Sequence, residues 1–467
     1  MNSDFTRQLN ALLKERIEGF ESLLSCDRLT AGANQETYRL RANIAGGEQQ
    51  LALRRSVVEQ DDASTVPSIG LDAEAALLEL AAQAGIPVPK VHYVLRAEDE
   101  LGTGFIMEWL EGETLGGRIV KAGELAEIRP RLAFQCGEIL ARIHAIETEA
   151  HSLDDLLPSL SPEQCVRQTW DVYQTFNIPM PMIDYAARWL LDNLPEHHRM
   201  TIVHTDFRNG NLMVTPTGIN GVLDWELAHI GDPVRDLGWL CVNSWRFGQS
   251  RLPVGGFGQV EDLLAGYQSV SGINIDMEHL KFWQVFGSFW WAVTCLIMAD
   301  SFRRGENTSL ERPAIGRRSS EAQMDCVDLL LTGTYKSPVF DKTTRHQQLS
   351  AAGDMLASIA SFLREDVSAE AQGRTRFLAR VAANSLDIIE RQLALAPALD
   401  LAESQRLADL LNSDGTLEEL QWELVHQLRA AMPLNTIGLS EHLGQTVAGQ
   451  LAIDQPGYSA FQSPAGE

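Results

Sequence analysis

The sequence predicts an α+β protein of two lobes, a small β-rich lobe followed by a larger helical one, with an all-α domain added at the C-terminus. Three observations lead there. Apolar residues alternate in short runs between Leu29 and Arg55, they take helical spacing after Gly112, and a turn-rich stretch separates that helical part from a third, almost wholly helical region. The expected boundaries are 1–110 for the small lobe, 111–331 for the large lobe, 332–345 for a linker and 346–467 for the helical C-terminal domain.

In chain order, TYRLRANI and QQLALRR flank Gly46 and Gly47 and predict a hairpin in an antiparallel sheet. Asp72 to Ala84 predicts a helix with Leu77, Leu78 and Leu80 on its apolar side, ended by Gly85, Pro87 and Pro89. VHYVL and GFIMEWLEG read as strands. LAFQCGEILARIHAI opens the helical lobe, which a short β-rich island at 202–225 interrupts. Beyond the linker TGTYKSPVFDKTTR, the clearest helix is FLARVAANSLDIIERQLAL, with Phe377, Val381, Ile388 and Leu395 on one side.

Composition bounds the function. The chain has 467 residues, 45% of them hydrophobic, and a formal charge of −25. The apolar fraction supports a packed core, and a net charge this negative weighs against binding to nucleic acid or an anionic membrane, which rests on neutralising phosphates with cations. Six cysteines are scattered without a C-x-x-C pair, and MNSDFTRQLN has no basic-then-apolar leader, so a reduced cytoplasmic setting is expected. Phe282 to Ala299 runs without a charge but contains Gln284, Gly287, Ser288 and Thr294, and reads as a core helix rather than a membrane span.

The chemistry concentrates in IVHTDFRNGNLMVTPTGINGVLDWE, residues 202–226. Leu212 to Thr215 and Ile219 to Leu223 form a hairpin by composition, with Asn211 and Asp224 nearly equidistant from its turn. Folding it brings those two together at the open end, within reach of Asp206. Two carboxylates and an amide oxygen without a thiol or imidazole cage make a hard-oxygen site suited to Mg²⁺ with coordinated phosphates.

The pattern H-x-D-x4-N at His204, Asp206 and Asn211, with Asp224 and the trailing GDPVRDLGW, resembles the catalytic core of the protein-kinase-like small-molecule kinases, in particular the aminoglycoside phosphotransferase and choline kinase family. The resemblance extends over about residues 20–330. It implies a bilobal protein-kinase-like fold, ATP and Mg²⁺ as cofactors, and transfer of a phosphoryl group to the hydroxyl of a small molecule. On it, Asp206 is the catalytic base, Asn211 and Asp224 hold Mg²⁺, and His204 and Asp232 brace the loop structurally. Many relatives carry Gly where this chain has Thr205. Gly32 in TAGANQETYRL falls in the turn over the phosphates. Arg54 stands where kinases place a phosphate-binding Lys, with Glu74 as its ion-pair partner, and Glu108 and Trp109 lie in the segment between lobes that meets the adenine. His144, among apolar neighbours in LARIHAI, reads as a packed core histidine.

For the acceptor, five arginines between Arg303 and Arg318 face only two glutamates, a basic island suited to an anionic group such as the phosphates of coenzyme A, with Arg317 and Arg318 as the acceptor-binding candidates. FIMEWLEGETL, LALRR, HTDFRNGNLMV, GVLDWELAHIGDP and RPAIGRRSSEA resemble the branch of the family found beside, or fused to, acyl-CoA dehydrogenases. That branch includes kinases of 4-hydroxyacyl-CoA thioesters, which implies a CoA thioester substrate and a functional link to an acyl-CoA dehydrogenase-like enzyme. The region from about 350 to 463 is similar to a small helical family of unknown function that occurs as a partner subunit of such kinases. Two other readings stand beside this one. A kinase of an aminoglycoside, choline or similar amino-alcohol would use the same core, and a nucleotide-binding pseudokinase or scaffold would use the fold without the chemistry.

Overall fold

The computed structural model describes residues 3–31, 35–56, 69–147, 156–335, 338–340 and 352–462. Five strands, β1 (Phe20–Ala31), β2 (Glu36–Ile44), β3 (Gly47–Ser56), β4 (Val91–Val94) and β5 (Thr103–Glu108), form an antiparallel sheet in the order β1-β2-β3-β5-β4. The predicted β2–β3 hairpin closes at Ile44↔Gly47, so its turn is Ala45-Gly46, one residue earlier than expected, with Gly47 opening β3; its register sets Arg54 between Thr37 and Phe105. A helix at Ser3–Arg16, which the strand and turn signals downstream do not announce, lays Leu9 and Leu13 against Leu40, Leu53 and Ile106, all fully buried. At about 25 cal/mol per Å², each such side chain contributes roughly 1.5–3 kcal/mol relative to exposure.

The chain divides into two compact units. The first comprises Met1–Pro162, Glu196–Cys241 and Trp245–Leu280, the second Glu163–Pro195, Val242–Ser244 and Lys281–Glu467. The first holds the sheet, the helices Leu71–Gln83, Leu132–Ile143 and Val260–Ser271, and four short strands, β6 (Thr201–Val203), β7 (Leu212–Thr215), β8 (Gly218–Val222) and β9 (His229–Gly231). β7 and β8 form the predicted hairpin and β6 pairs with β9. The helices Leu132–Ile143 and Val260–Ser271 cross at backbone contact, because Gly137 and Gly266 carry no Cβ; one on Gly266 would stand 2.0 Å from the Phe134 carbonyl oxygen.

The second unit is helical. Stretches from within the expected large lobe, 163–195 and 281–331, group here with the C-terminal helices. The helix Met277–Arg303 is long and apolar enough to cross a membrane by length and composition, and half of its apolar window is buried, including Phe282, Trp283, Phe286, Phe289 and Cys295. Asp184, fully buried in the helix Pro181–Asp192, accepts from Trp170 Nε1 at 2.8 Å and from Arg429 Nε at 2.7 Å, which ties the helix Leu417–Arg429 to it. The helix begun at Phe377 by its periodicity runs from Gly373 to Leu411, through Pro397. All six cysteines are free and buried.

Candidate active site

The loop between β6 and β7 carries His204, Asp206 and Asn211, and one carboxylate from the helix Val234–Leu240 shapes it. Asp236, fully buried, accepts the His204 amide on Oδ2 at 2.8 Å and the Thr205 amide on Oδ1 at 2.7 Å. His144 Nε2 lies 3.1 Å from Oδ2, and its Nδ1 lies 3.1 Å from the Tyr267 hydroxyl, so this histidine is buried as expected but hydrogen-bonded into the loop's support. Burial alone would raise the Asp236 pKa; the hydrogen bonds from His144 and the His204 amide hold it below the ordinary carboxylate value.

Those bonds hold an unusual backbone. Thr205 has φ of 73°, a left-handed conformation that β-branched residues avoid, and its Oγ1 lies 2.8 Å from His229 Nδ1. Burial, and then Arg235, lower the His229 pKa to about 3, so the ring is neutral. His204 is also held neutral, by burial; its Nδ1 accepts the Asp206 amide at 3.3 Å, which leaves Nε2 to donate to the Leu223 carbonyl at 3.1 Å. It thus ties the catalytic loop to the end of β8.

Asp206, only 7% exposed, accepts from four donors. Asn211 Nδ2 stands at 2.6 Å and Trp239 Nε1 at 3.0 Å, and Arg208 meets both oxygens through Nε at 2.8 Å and Nη2 at 3.0 Å. The Arg208 guanidinium lies 4.4 Å from the Trp245 ring centroid and remains one-quarter exposed. The Leu223 amide donates to the Asn211 carbonyl at 2.8 Å, so the open end of the hairpin brings Asn211 and Asp224 together as its symmetry requires. The Asn211 Nδ2 donates to Asp206 and its Oδ1 is left over; Asp224, with φ of 66°, accepts from Arg54 on Oδ1 and keeps Oδ2. Two uncommitted hard oxygens fit a Mg²⁺ that takes its other ligands from phosphates and water. No group of three or more His, Cys, Asp or Glu among the described residues forms a metal cage.

Beside this lies a second cluster. Arg54, 14% exposed, meets Glu74 at 3.1 Å, Asp224 at 2.7 Å, Glu226 at 2.9 Å and Gln35 Oε1 at 2.8 Å. Burial is the main force on Glu74; Arg54 opposes it, Asp224 and Glu226 add to it, and the pKa rises to about 7. Glu226 is raised by burial and by Asp224. One guanidinium therefore serves three carboxylates, an excess of negative charge that a metal ion at Asp224 would relieve.

The remaining candidates are dispersed. Gly32 lies outside the described residues. Glu108 ends β5, its amide bonded to the Lys90 carbonyl at 2.8 Å, and Trp109 carries Arg39 over its ring at 4.9 Å with Nε1 on Glu111 at 3.0 Å. Asp232 receives the Val234 amide at 3.1 Å and His279 Nε2 at 2.5 Å. In the second unit, Arg317 pairs with Asp454 at 2.6 Å, while Arg318 pairs with Glu321 at 3.1 Å and covers Trp291 at 5.6 Å. Both arginines are engaged internally, and both line a cavity of about 360 Å³. Arg208, Gln35 and Glu226 are site residues that motif reading passes over. Arg208 had a signal, as the sole cation in HTDFRNGN, two residues after the aspartate.

The model of the phosphotransferase enzyme family matches residues 25–273, and that of a domain of unknown function (DUF6285) matches residues 369–458. The chain belongs to the phosphotransferase enzyme family. It has the kinase-like fold expected from its sequence. It is 29% identical over 246 residues to acyl-CoA dehydrogenase family member 10 of Mus musculus, covering 50% of this chain and 22% of that protein. To acyl-CoA dehydrogenase family member 11 of Homo sapiens it is 26% identical over 326 residues, covering 65% and 40%. The chain thus spans well under half the length of these relatives. A Ralstonia eutropha protein assigned as an aminoglycoside phosphotransferase superposes with a TM-score of 0.56 at 22% identity, over 69% of this chain and 97% of that one, a likeness of fold.

Proposed function

We propose that the protein transfers the γ-phosphoryl group of ATP to the hydroxyl of a hydroxyacyl-CoA, of the 4-hydroxyacyl type, in the cytoplasm. The observation that supports the chemistry is the meeting of Asp206, Asn211 and Asp224 at the open end of the β7–β8 hairpin. Asn211 and Asp224 would hold Mg²⁺, which when bound would neutralise charge on the phosphate oxygens. Asp206 orients the acceptor hydroxyl and takes its proton as the new O–P bond forms and the bond to the ADP leaving group breaks. For that, Arg208 must give up at least one of its two contacts to Asp206, and the freed guanidinium is a cation for the phosphoryl oxygens. Arg54 supplies a permanent charge for the nucleotide phosphates.

The acyl-CoA part of the reading is supported by the sequence resemblance and by relatives that bear the name of acyl-CoA dehydrogenase family members. Phosphorylation of such a substrate converts a hydroxyl into a leaving group, which gives the functional link to a dehydrogenase-like enzyme a chemical basis. Because Arg317 and Arg318 are engaged in internal ion pairs, the basic island lends this reading less weight than its composition suggests. The test is a nucleotide-consumption screen of hydroxyacyl-CoAs, free hydroxy acids, choline and aminoglycosides, with mass spectrometry of the products. Phosphorylation of a hydroxyacyl-CoA supports the proposal, and turnover confined to choline or an aminoglycoside overturns it.

A further inference from the structure

His442 is the most conspicuous unexplained polar group in the second unit. It stands near the start of the helix Leu439–Asp454, is only 2% exposed, and neither ring nitrogen has a hydrogen-bond partner. Burial, and then Arg406, push its pKa to about 4, so at neutral pH it offers one N–H donor and one bare acceptor nitrogen. A buried polar atom left unmet keeps the full cost of losing its water, and this ring has two. Arg406 adds a third: its Nη2 donates to Thr446 Oγ1 at 3.2 Å, while its buried Nε is without a partner.

His442 and Arg406 both line a cavity of about 230 Å³. Its wall also carries carboxamides, Gln323, Gln392, Gln445 and Gln450 among them, and apolar patches from Met180, Leu399 and Val447. That volume would hold roughly eight waters at about 30 Å³ each, and about half of its lining residues are polar, so water is the occupant that a ligand must displace. The unmet atoms state what an occupant must provide: acceptors for the His442 N–H and for Arg406 Nε, and a donor for the other His442 nitrogen. An anion supplies acceptors alone and would also meet Glu403 and Asp400 at the wall, whereas a cation supplies donors alone and would meet Arg406. An amide offers both kinds of group without a net charge.

We propose that this cavity is a second ligand site, separate from the phosphotransfer chemistry, for an uncharged small molecule bearing an amide. It requires nothing of the acceptor reading above. The experiment uses the full chain with isotope-labelled histidine, follows the His442 ring resonances by NMR, and titrates with pantetheine, an uncharged diamide, against inorganic phosphate and butyrate. Pantetheine should move those resonances saturably, with a Kd in the submillimolar range by calorimetry. His442→Phe should weaken binding at least tenfold. Ala396→Leu, which fills the cavity without removing a polar group, should do the same and covers the case in which the histidine variant fails to fold. Unmoved or non-saturating resonances up to about 10 mM pantetheine would mean a cavity filled with water only. A response to phosphate or butyrate without one to pantetheine, or undiminished pantetheine binding in Ala396→Leu, would likewise overturn the site.

Discussion

Replacing Asp236 by Asn tests how the catalytic loop is held. The side chain keeps its size but loses its charge, and one of its two oxygens becomes an NH₂. In the native fold those oxygens accept the His204 and Thr205 amides at 2.8 and 2.7 Å, with His144 Nε2 also 3.1 Å away. Hydrogen bonds to a charged acceptor contribute about 1.5–3 kcal/mol each, and the variant both loses one and sets two donors against each other in a fully buried position. The expected loss is about 3–5 kcal/mol, the range for breaking a buried charged pair. Released from its clamp, Thr205 can leave its left-handed conformation, so kcat should fall much more than MgATP affinity. Urea denaturation followed by tryptophan fluorescence gives the first quantity, and steady-state kinetics the second. The pH dependence follows from the sign of the shift. A carboxylate held below its ordinary value stabilises the fold at neutral pH, and that contribution is lost as pH falls through the folded value, beneath about 3.9. The native protein should therefore lose stability relative to the Asn variant only in strong acid. A midpoint shift worth less than about 0.5 kcal/mol, within the usual range for an unremarkable surface substitution, would refute the clamp.

Other outcomes can be stated briefly. Arg54→Ala should raise the KM for ATP about tenfold or more, and Arg54→Lys less, because Lys keeps the charge and loses the fork; equal kinetics for both would turn Arg54 away from the phosphates. Glu74 has a folded pKa of about 7 against an ordinary 4.5, so without metal or nucleotide its contribution to stability should decline as pH rises through that window, and Glu74→Gln should flatten the profile; an unchanged thermal-melt profile across it would count against the shared-guanidinium picture. Arg208→Met should lower kcat by about 10²-fold with little change in acceptor KM, as for loss of a transition-state contact, and a variant affected only in KM would assign the arginine to substrate binding. Arg429→Ala strands the buried Asp184 carboxylate and should lower Tm by several degrees; an unaltered melt would show that the pair contributes nothing.

What could be read ahead of the structure follows from how local each signal is. The β7–β8 hairpin and the approach of Asn211 to Asp224 were legible because turn chemistry and chain symmetry determine them. The β2–β3 register was legible for the same reason. The support of the loop was harder to see: Asp236 reaches His204 across 32 positions, and Arg54 reaches Asp224 across 170, distances at which only the assembled fold selects the partner. Arg208 was visible as a cation near Asp206, but its two-pronged contact depends on a backbone set by the left-handed Thr205. The helix read at Phe377–Leu395 extends beyond its periodic stretch, from Gly373 to Leu411 through Pro397, since removing one helical hydrogen bond does not stop a helix that packing supports. Arg317 was legible as part of a basic island but not as an internal pair, because Asp454 lies 137 residues away, whereas Glu321, the partner of Arg318, stands only three residues on.

The central claim, that this chain phosphorylates a hydroxyl through Asp206, is tested most directly by single-turnover phosphotransfer from MgATP to a 4-hydroxyacyl-CoA, comparing the native protein with Asp206→Asn and detecting the product by mass spectrometry. The native protein should yield an acyl-CoA heavier by one phosphoryl group, and the variant should do so about 10²–10⁴-fold more slowly while binding MgATP with similar affinity. A variant that turns over within a few-fold of the native rate would contradict the account.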